Sequence, residues 1–328
     1  MYFPKITLIT PSFNQGRFLE QTIRSVLDQG YPNLEYMIID GGSKDESGEI
    51  IKKYQNKLAY WVIEKDKGQA HAINKGLQRA TGDIICWINS DDYLNNGALQ
   101  AVAGNFSDPA INCVIGKIQY FNEKGMQQRS GSVVRYPAEK TLGSGIVPQP
   151  AMYFRKSCYD TIGHLDEQLY MSFDAAWYMQ YLIYYGINGI TEIPETLVYF
   201  RFHDSSKTMN NSRLYEKERS SICYSIAAQL NLQPLMQLLE ATTEPDKSYH
   251  FHIPENRSGI SLEKAMNYFV LLLANEYYAA SDHKKAAACF RVVDKELLDP
   301  ASRQLYSRLN FRNTYVPPGI IKLLRRRN

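Results

Sequence analysis

Residues 84–93 read IICWINSDDY, so an apolar run stops abruptly at two adjacent carboxylates, Asp91 and Asp92. A short apolar run that ends in polar residues is typical of a buried strand. In an open parallel sheet, ligands bind beyond the carboxyl ends of the strands, where acidic side chains can hold a metal or a ribose. Asp is also a favoured helix N-cap, so either carboxylate could instead cap a helix near 96–106. Only the rest of the chain separates these two interpretations.

Strand-like and helix-like segments alternate through the first third of the chain. Apolar and β-branched runs predict the strands, and apolar residues at helical spacing predict the helices. The predicted elements are a strand at 6–10, a helix at 17–29, a strand at 34–39, a helix around 50–54, a strand at 60–63, a helix at 69–80 and a strand ending at 88. Ser43 and Glu46 form a candidate capping box for the second helix. The alternation predicts a mostly parallel sheet with right-handed crossovers, and therefore an α/β fold to about residue 106.

The remaining two thirds of the chain become progressively more helical. The predicted elements here are hairpin strands at 113–121 and 127–134, an ordered loop or mobile flap at 143–150, a helix beginning near Asp174 and a strand at 196–202. Beyond about residue 210, segments 262–280 and 283–298 resemble a single tetratricopeptide-like helical hairpin. We therefore expect an α/β domain over 1–209 and a helical extension over 210–328, a region that could bind a protein partner.

Composition excludes several classes of protein. A charged content of 22% and a net charge of +3 in 328 residues are ordinary for a globular protein and argue against nucleic-acid binding. Five cysteines lack CxxC spacing, which argues against a zinc site or disulfide framework and favours a reducing, cytoplasmic compartment. The amino terminus lacks the regions of a signal peptide, and no apolar run approaches the length of a membrane span. We expect a soluble or peripheral protein.

The last twelve residues, PPGIIKLLRRRN at 317–328, combine apolar side chains with a basic cluster. Such a tail could contact an anionic membrane surface, which would make the protein peripheral at the inner membrane face. A frayed, solubilising terminus is the other interpretation, and it is the commoner outcome at chain ends.

Polar loops follow all four strands predicted in the first third of the chain. Their sequences are TPSFNQG at 10–16, DGGSKDES at 40–47, EKDKGQAHAINKG at 64–76, and the end of ATGDIICWINSDDY at 80–93. Neither GxGxxG nor GxxxxGK[ST] occurs, so a dinucleotide or P-loop cradle is not supported. In their order and spacing, the four segments closely resemble the family 2 glycosyltransferases over about the first 105 residues, and more loosely to about residue 207. The resemblance implies the GT-A nucleotide-sugar transferase fold.

The resemblance assigns roles to individual residues. Pro11 and Ser12 match the loop around the nucleotide base, Asp40 the aspartate that contacts the base, Asp66 and Lys67 the loop near nucleotide and donor sugar, and Asp91 and Asp92 the DXD-type element. In that element one carboxylate approaches ribose or sugar and the last binds a divalent ion, so Asp92 is the expected principal ligand. His203 resembles the histidine of a late R-x-H loop that completes the metal-diphosphate site. Two of these positions also have a purely structural explanation. Asp40 fits a glycine turn with a helix cap, and a lone histidine is more often structural.

Asp174 is the expected general base. The family places an acidic residue at the start of a helix beneath the acceptor, and this chain has MSFDAAW at 171–177. Its carboxylate would take the proton of the attacking hydroxyl from the side opposite the leaving diphosphate, which implies inversion. The alternative is a helix N-cap, and the two roles are compatible. Phe173 stands where relatives often have a second acid, which is a departure from the family pattern.

The resemblance therefore implies an inverting glycosyltransferase that uses Mn²⁺ or Mg²⁺, with manganese the better match for an imidazole ligand. A nucleotide-sugar, with UDP the expected nucleotide, would be the donor, and a hydroxyl of a glycan or lipid-linked glycan the acceptor, in cell-surface polysaccharide or glycoconjugate synthesis. Two alternatives stay open. One is a nucleotidyltransferase, although residues 10–16 lack a basic phosphate loop; the other is a non-catalytic nucleotide-binding scaffold that acts through the helical region.

Overall fold

The structure is a computed structural model that describes residues 3–316. The basic tail, for which membrane contact was one prediction, lies outside these residues. The described chain forms two compact units, one of residues 3–133 with 147–212 and the other of residues 134–146 with 213–316. The expected division at residue 209 stays a prediction, and it does not anticipate that residues 134–146 group with the helical unit.

The strands are β1 (Ile6–Ser12), β2 (Leu34–Asp40), β3 (Tyr60–Ile63), β4 (Ile84–Trp87), β5 (Tyr93–Leu94), β6 (Cys113–Asn122), β7 (Gly125–Arg129), β8 (Met152–Arg155) and β9 (Ile190–Arg201). The helices are α1 (Gly16–Leu27), α2 (Ser47–Tyr54), α3 (Gln69–Leu77), α4 (Ala98–Ala103), α5 (Ala138–Ser144), α6 (Lys156–Ile162), α7 (Phe173–Tyr185), α8 (Lys207–Asn210), α9 (Ser212–Gln229), α10 (Gln233–Thr242), α11 (Leu262–Ala279), α12 (His283–Val292) and α13 (Pro300–Tyr315). Short 3₁₀ turns occur between several of them.

The first unit is built on one nine-stranded sheet with the order β3-β2-β1-β4-β8-β6-β9-β5, and β7 pairs with β6. Strands β1 to β4 are parallel, as the alternating sequence predicted. Ser12 lies opposite Asp40, and Asp40 lies opposite Ile63, so neighbouring strands end at one edge. Beyond β4 the sheet is mixed, because β8 runs antiparallel to both β4 and β6 while β9 runs parallel to β6.

Complete burial in the core accounts for the apolar character of strands β1 and β4. All seven residues of β1 and all four of β4 are buried, as expected for parallel strands that are covered on both faces. Helix α1 packs onto this layer with one face, through Leu19, Ile23 and Val26. Burying each such side chain contributes about 1.5–3 kcal/mol, so this layer fixes the sheet from which the polar loops project.

One local prediction is wrong, one alternative is excluded, and one predicted boundary is shifted. Helix α2 begins at Ser47 without a side-chain cap, and the Ser43 hydroxyl bonds to Asn14 and Asp40 instead, so Ser43 and Glu46 form no capping box. The N-cap of α4 is Gly97, so neither Asp91 nor Asp92 caps that helix. The predicted loop at 143–150 begins inside a helix, because α5 extends to Ser144. The hairpin of β6 and β7 is confirmed, with Asn122 opposite Gly125.

The second unit consists of α5 and helices α9 to α13. Gly143 lets α5 approach α11 closely, since a Cβ at this position would lie 2.3 Å from the carbonyl oxygen of Ala265. Arg219 of α9 is paired with Glu276 of α11 through two hydrogen bonds of 3.1 and 2.5 Å. No helix within residues 3–316 is both long and apolar enough to cross a membrane.

Glu35 is a buried acid at the opposite end of β2 from the polar loops. Its carboxylate accepts hydrogen bonds from the hydroxyls of Thr7 and Thr81, at 2.6 and 2.5 Å, and Lys5 Nζ lies 2.7 Å away. Burial raises the pKa of Glu35, but the bonds from Lys5, Thr7 and Thr81 outweigh that effect and lower it to about 2. The charged form is therefore the one that the fold stabilises.

We expect Glu35→Gln to lower the free energy of unfolding by about 2–3 kcal/mol near neutral pH. Because the folded-state pKa lies below the unfolded value of 4.5, this contribution is complete above pH 4.5 and is lost as pH falls towards 2. Urea titrations of both proteins across this range should therefore converge at acid pH. The exposed Glu123→Gln change in the hairpin turn is the matched control and should leave the unfolding free energy unchanged; parallel curves for Glu35→Gln and wild type would contradict the prediction.

Candidate active site

The loops that follow β1 and β2 are fastened to each other. Ser43 Oγ accepts the N–H of Asn14 at 2.7 Å, and Asn14 Oδ1 accepts the N–H of Lys44 at 2.8 Å. Asp45 Oδ2 accepts the N–H of Gly16, the first residue of α1, at 2.8 Å. Asn14 has a positive φ of 51°, which Asn tolerates better than most residues. The two loops therefore form one fixed edge.

Pro11 and Ser12 are the last buried residues of β1 rather than members of a free loop. Asp40, directly opposite Ser12, is fully buried. Its Oδ1 accepts the N–H groups of Gly42 and Ser43 at 3.0 and 2.8 Å, and its Oδ2 accepts Ser43 Oγ at 2.7 Å. Asp40 thus closes its own loop, and Oδ2, which accepts a single donor, keeps capacity for a further one. Contact with a base stays a prediction for Asp40.

Asp66 brings the loop after β3 against the loop after β2. A Cβ on Gly41 would lie 2.7 Å from Asp66 Oδ2, so only glycine leaves room for this carboxylate. Asp66 Oδ1 accepts the N–H of Gly68, whose φ is 123°. The exposed Lys67 lies between them, and its N–H donates to His71 Nδ1 at 3.3 Å. The predicted nucleotide-binding residues of the first three loops therefore share one edge of the sheet.

Asp92 carries the most unusual group of the site. Its side chain is 1% exposed, its Oδ1 accepts the N–H of Arg201 at 2.9 Å, and its Oδ2 is buried without a hydrogen-bond partner. Burial, and then the neighbouring charge of Asp91, raise the pKa of Asp92 well above its ordinary value. A buried carboxylate oxygen without a partner is costly, so this atom points to a ligand that the protein alone does not supply.

His203 lies beside Asp91, not in contact with the free oxygen of Asp92. Its Nε2 is 3.0 Å from Asp91 Oδ2, and its Nδ1 is 3.1 Å from a guanidinium nitrogen of Arg17. Since arginine can only donate, Nδ1 accepts, and the Nε2 proton is donated to Asp91. As a metal ligand, His203 would first have to release Asp91. That role stays a prediction.

Helix α1 holds the backbone of the loop after β4, which we call the acidic loop, through two polar side chains on one face. The hydroxyl of Thr22 lies 3.0 Å from the carbonyl oxygen of Ser90 and 2.5 Å from that of Asp92. One turn on, Ser25 Oγ accepts the N–H of Leu94 at 3.0 Å. Sequence reasoning missed Thr22, although a signal was present. It is a polar residue within the buried stripe of α1, where an apolar side chain is expected.

Arg201 holds the same loop from β9. In addition to its N–H bond to Asp92, its Nε donates to the carbonyl oxygen of Asp91 at 3.0 Å, and its guanidinium lies 4.6 Å from the ring centre of Phe18. Burial lowers the pKa of Arg201, which nevertheless stays charged because arginine titrates far above neutral pH. A residue more than a hundred positions away thus holds the carboxylate of Asp92 and the backbone of Asp91, and no local pattern signals these contacts.

Two further residues join the remaining loops. Gln69, at the start of α3, donates from Nε2 to Asn89 Oδ1 at 2.7 Å and accepts Lys207 Nζ at 3.1 Å. Lys207 also donates to the carbonyl oxygen of Tyr170 and lies 3.9 Å from the centre of its ring. The loop after β4 is thereby connected to the segment that precedes α7, which carries Asp174.

Asp174 lies in the first turn of α7, whose N-cap residue is Ser172. Its Oδ1 is 2.8 Å from the N–H of Ala175, so it contributes to the helix start without being the cap. Asp174 lines a small cavity together with Trp87 and Tyr178. The cavity therefore connects the helix that carries Asp174 with the last residue of β4, directly before the acidic loop.

The residues present fit a divalent ion that is shared with a ligand. Within residues 3–316, no group of three or more His, Cys, Asp or Glu side chains is arranged to hold a metal. Mg²⁺, however, is commonly bound by one or two carboxylates together with substrate phosphates rather than by an all-protein cage. The buried free oxygen of Asp92 is the atom suited to this arrangement.

Residues 7–163 match the sequence model of Glycosyl transferase family 2. The match covers 157 of the 328 residues, so this part of the chain is similar to that family. Among curated relatives, the putative teichuronic acid biosynthesis glycosyltransferase TuaG of Bacillus subtilis is 37% identical over 100 residues, which is 30% of this chain and 40% of TuaG. An uncharacterized glycosyltransferase of Haemophilus influenzae is 39% identical over 103 residues, 30% of this chain and 41% of that protein. This chain thus spans about two fifths of the length of these relatives.

The solved structures that resemble this chain show its fold. Staphylococcus aureus TarS 1–349 in complex with UDP-GlcNAc superposes with a TM-score of 0.57 at 14% identity, over 94% of this chain and 89% of that one. At such low identity the likeness concerns the fold alone. The predicted GT-A architecture with a helical carboxyl-terminal region is confirmed.

The contacts of Thr22 predict a local effect. In Thr22→Val, which keeps the side-chain shape, the carbonyl oxygens of Ser90 and Asp92 lose their donor, at a cost of about 1–2 kcal/mol. We expect hydrogen exchange to accelerate at residues 90–94 and to stay unchanged in β2. Thr161→Val, at an exposed hydroxyl on α6, is the control. Unchanged protection at residues 90–94 would show that Thr22 does not hold the acidic loop.

Proposed function

We propose that this protein is an inverting, metal-dependent glycosyltransferase that moves a sugar from a nucleotide diphosphate donor to a hydroxyl of a glycan or lipid-linked glycan. The observation that carries the proposal is the buried, unpartnered Oδ2 of Asp92 at the carboxyl edge of the parallel strands. The family of residues 7–163 supplies the reaction class.

The donor nucleotide is proposed to be UDP. Pro11, Ser12 and Asp40 would form the base pocket at the ends of β1 and β2, where the carboxylate of Asp40 is already held in one orientation by Gly42 and Ser43. Asp66 and Lys67 would contact nucleotide and donor sugar from the next loop. A carboxylate fixed in this way accepts hydrogen bonds from a base N–H without losing further side-chain freedom, which favours binding.

The metal is proposed to be Mn²⁺ or Mg²⁺, held by Asp92 and by the donor's phosphates. When bound, such an ion neutralises the negative charge that glycosyl transfer leaves on the departing diphosphate. The protein's own contribution is positional: Arg201 and Thr22 keep the carboxylate of Asp92 in place, and Asp91 stays hydrogen-bonded to His203. Asp91 is proposed to approach the ribose or the donor sugar once the donor is bound.

Asp174 is proposed as the general base. Its position in the first turn of α7, beside a cavity that reaches Trp87, supports a role at the acceptor side of the donor. There its carboxylate would accept the proton of the acceptor hydroxyl as the oxygen attacks the anomeric carbon. Attack from the side away from the diphosphate inverts the configuration at that carbon.

The similar proteins indicate the range of donors and pathways. One TarS structure contains UDP-GlcNAc, and the mannosyltransferase PcManGT of Pyrobaculum calidifontis, with a TM-score of 0.50 at 16% identity over 96% of this chain and 88% of that one, was solved with GDP-mannose and Mn²⁺. TuaG is named for teichuronic acid biosynthesis. By analogy we propose a role in cell-surface polysaccharide or glycoconjugate synthesis. The five buried, unpaired cysteines support a reducing, cytoplasmic location.

Calorimetric titration with UDP tests the metal site. We expect Mn²⁺ to tighten UDP binding at least about tenfold in the wild-type protein and to have no effect in Asp92→Asn. In that variant a neutral amide replaces the carboxylate whose free oxygen, Oδ2, would hold the ion. Asp28→Asn, an exposed change at the residue that follows α1, is the control and should keep the metal response. Absence of UDP binding in the wild type, or a full metal response in Asp92→Asn, would contradict the proposal.

Donor turnover tests the base. With a panel of nucleotide-sugars and release of the nucleotide as readout, Asp174→Asn should lower the transfer rate about 10²–10⁴-fold while leaving UDP affinity unchanged. Asp166→Asn is the matched variant, since Asp166 is another aspartate that precedes α7 and should retain activity. A large loss in Asp166→Asn with normal transfer by Asp174→Asn would move the assignment to Asp166.

A further inference from the structure

Helix α13 presents a face of aromatic and basic side chains to solvent. Phe311 and Tyr315 are 60% and 72% exposed, and their rings lie 5.2 Å apart. Arg308 and Arg312 are also exposed. The spacing 308, 311, 312 and 315 places all four side chains on one face of the helix. We call these four residues the α13 face.

The opposite side of α13 is fixed to the rest of the helical unit. Leu309 is buried, Tyr306 donates to the carbonyl oxygen of Phe290 at 3.3 Å, and Asn313 donates to that of His283 at 3.1 Å. Asn313 Oδ1 also lies 2.8 Å from His283 Nδ1. The α13 face therefore belongs to a helix whose orientation within its unit is set by packing and hydrogen bonds.

Charge is distributed unevenly along the chain, and the basic excess lies in residues 300–328, which include α13. Residues 300–328 contain seven basic and no acidic side chains. The other 299 residues contain 30 basic and 34 acidic side chains, a net charge of −4, whereas the whole chain carries +3. Arg303 is occupied by the carbonyl oxygen of Lys295, but neither Arg308 nor Arg312 forms an ion pair within residues 3–316. Their charge is thus available to an external anion.

We propose that the α13 face docks the protein on an anionic phospholipid bilayer. Aromatic rings are favoured at the level of the lipid headgroups, where one part of the ring contacts acyl chains and the rest stays in polar surroundings. Arginines on the same face meet the negative surface potential of anionic lipids. The sequence that follows, IIKLLRRR at 320–327, adds apolar and basic side chains of the same two kinds. This docking site is separate from the proposed active site and does not depend on it.

Co-sedimentation of the full-length protein with vesicles tests the proposal. Vesicles of phosphatidylcholine with about 30% phosphatidylglycerol should bind at least tenfold more tightly than pure phosphatidylcholine, and salt near 0.5 M should abolish the difference. Arg308→Gln with Arg312→Gln should lower the affinity about thirtyfold, and Phe311→Ala with Tyr315→Ala about tenfold. Lys52→Gln with Lys57→Gln, which removes the same charge from an exposed part of the sheet unit, is the control and should change binding less than about twofold.

A second measurement separates docking by α13 from attraction by the tail alone. In Phe311→Trp, indole fluorescence should shift to shorter wavelength with anionic vesicles and stay unchanged with neutral ones, because the ring leaves water. Unfolding midpoints of all variants should equal that of the wild type. Equal binding to both vesicle types, wild-type affinity in both α13 double variants, or tight binding to a single-stranded oligonucleotide without vesicle binding would each overturn the proposal.

Discussion

The loop after β4 keeps one oxygen of Asp92 out of water and without a donor, and such a group costs about 1–3 kcal/mol when it is left unpaired. The loop does not rearrange to relieve this cost, because Thr22 and Arg201 hold it from two distant parts of the chain. The apolar layer of the sheet offsets the local penalty. A fold that maintains an unsatisfied carboxylate in this way is prepared for a ligand that satisfies it.

The parallel pairing of β1 to β4 also determines how the polar loops contact one another. Since β1 to β4 end at one edge, each loop can be fastened to the next, and the structure shows these contacts in order around the edge. Ser43 joins the first two loops, Gly41 makes room for Asp66 of the third, and Gln69 of α3 bonds to Asn89 of the fourth. Displacing one loop therefore disturbs its neighbour. The proposed donor site is a ring of mutually supporting loops rather than a set of independent side chains.

The sequence predicted those parts of this arrangement that depend on local sequence patterns. Alternating periodicity gave the parallel strands, and the resemblance to a family gave the acidic residues at their ends. It could not predict that β8, β6 and β9 continue the sheet in that order, because their pairing depends on contacts between distant segments. For the same reason no role was predicted for Arg201, although it is the arginine of the R-x-H segment in which His203 was singled out. Ser43 was misassigned as a cap because the same side chain serves equally well to join two loops.

The helical unit shows the same dependence on distant segments. Helix α5, from a segment that lies in sequence between strands of the sheet, packs on α11, and the backbone of Gly143 approaches Ala265 more closely than any side chain would permit. Without residues 134–146 this face of α11 would lose its cover. The helical region is therefore not a module formed by residues 210–328 alone. It includes a segment that precedes β8 and β9 in the chain.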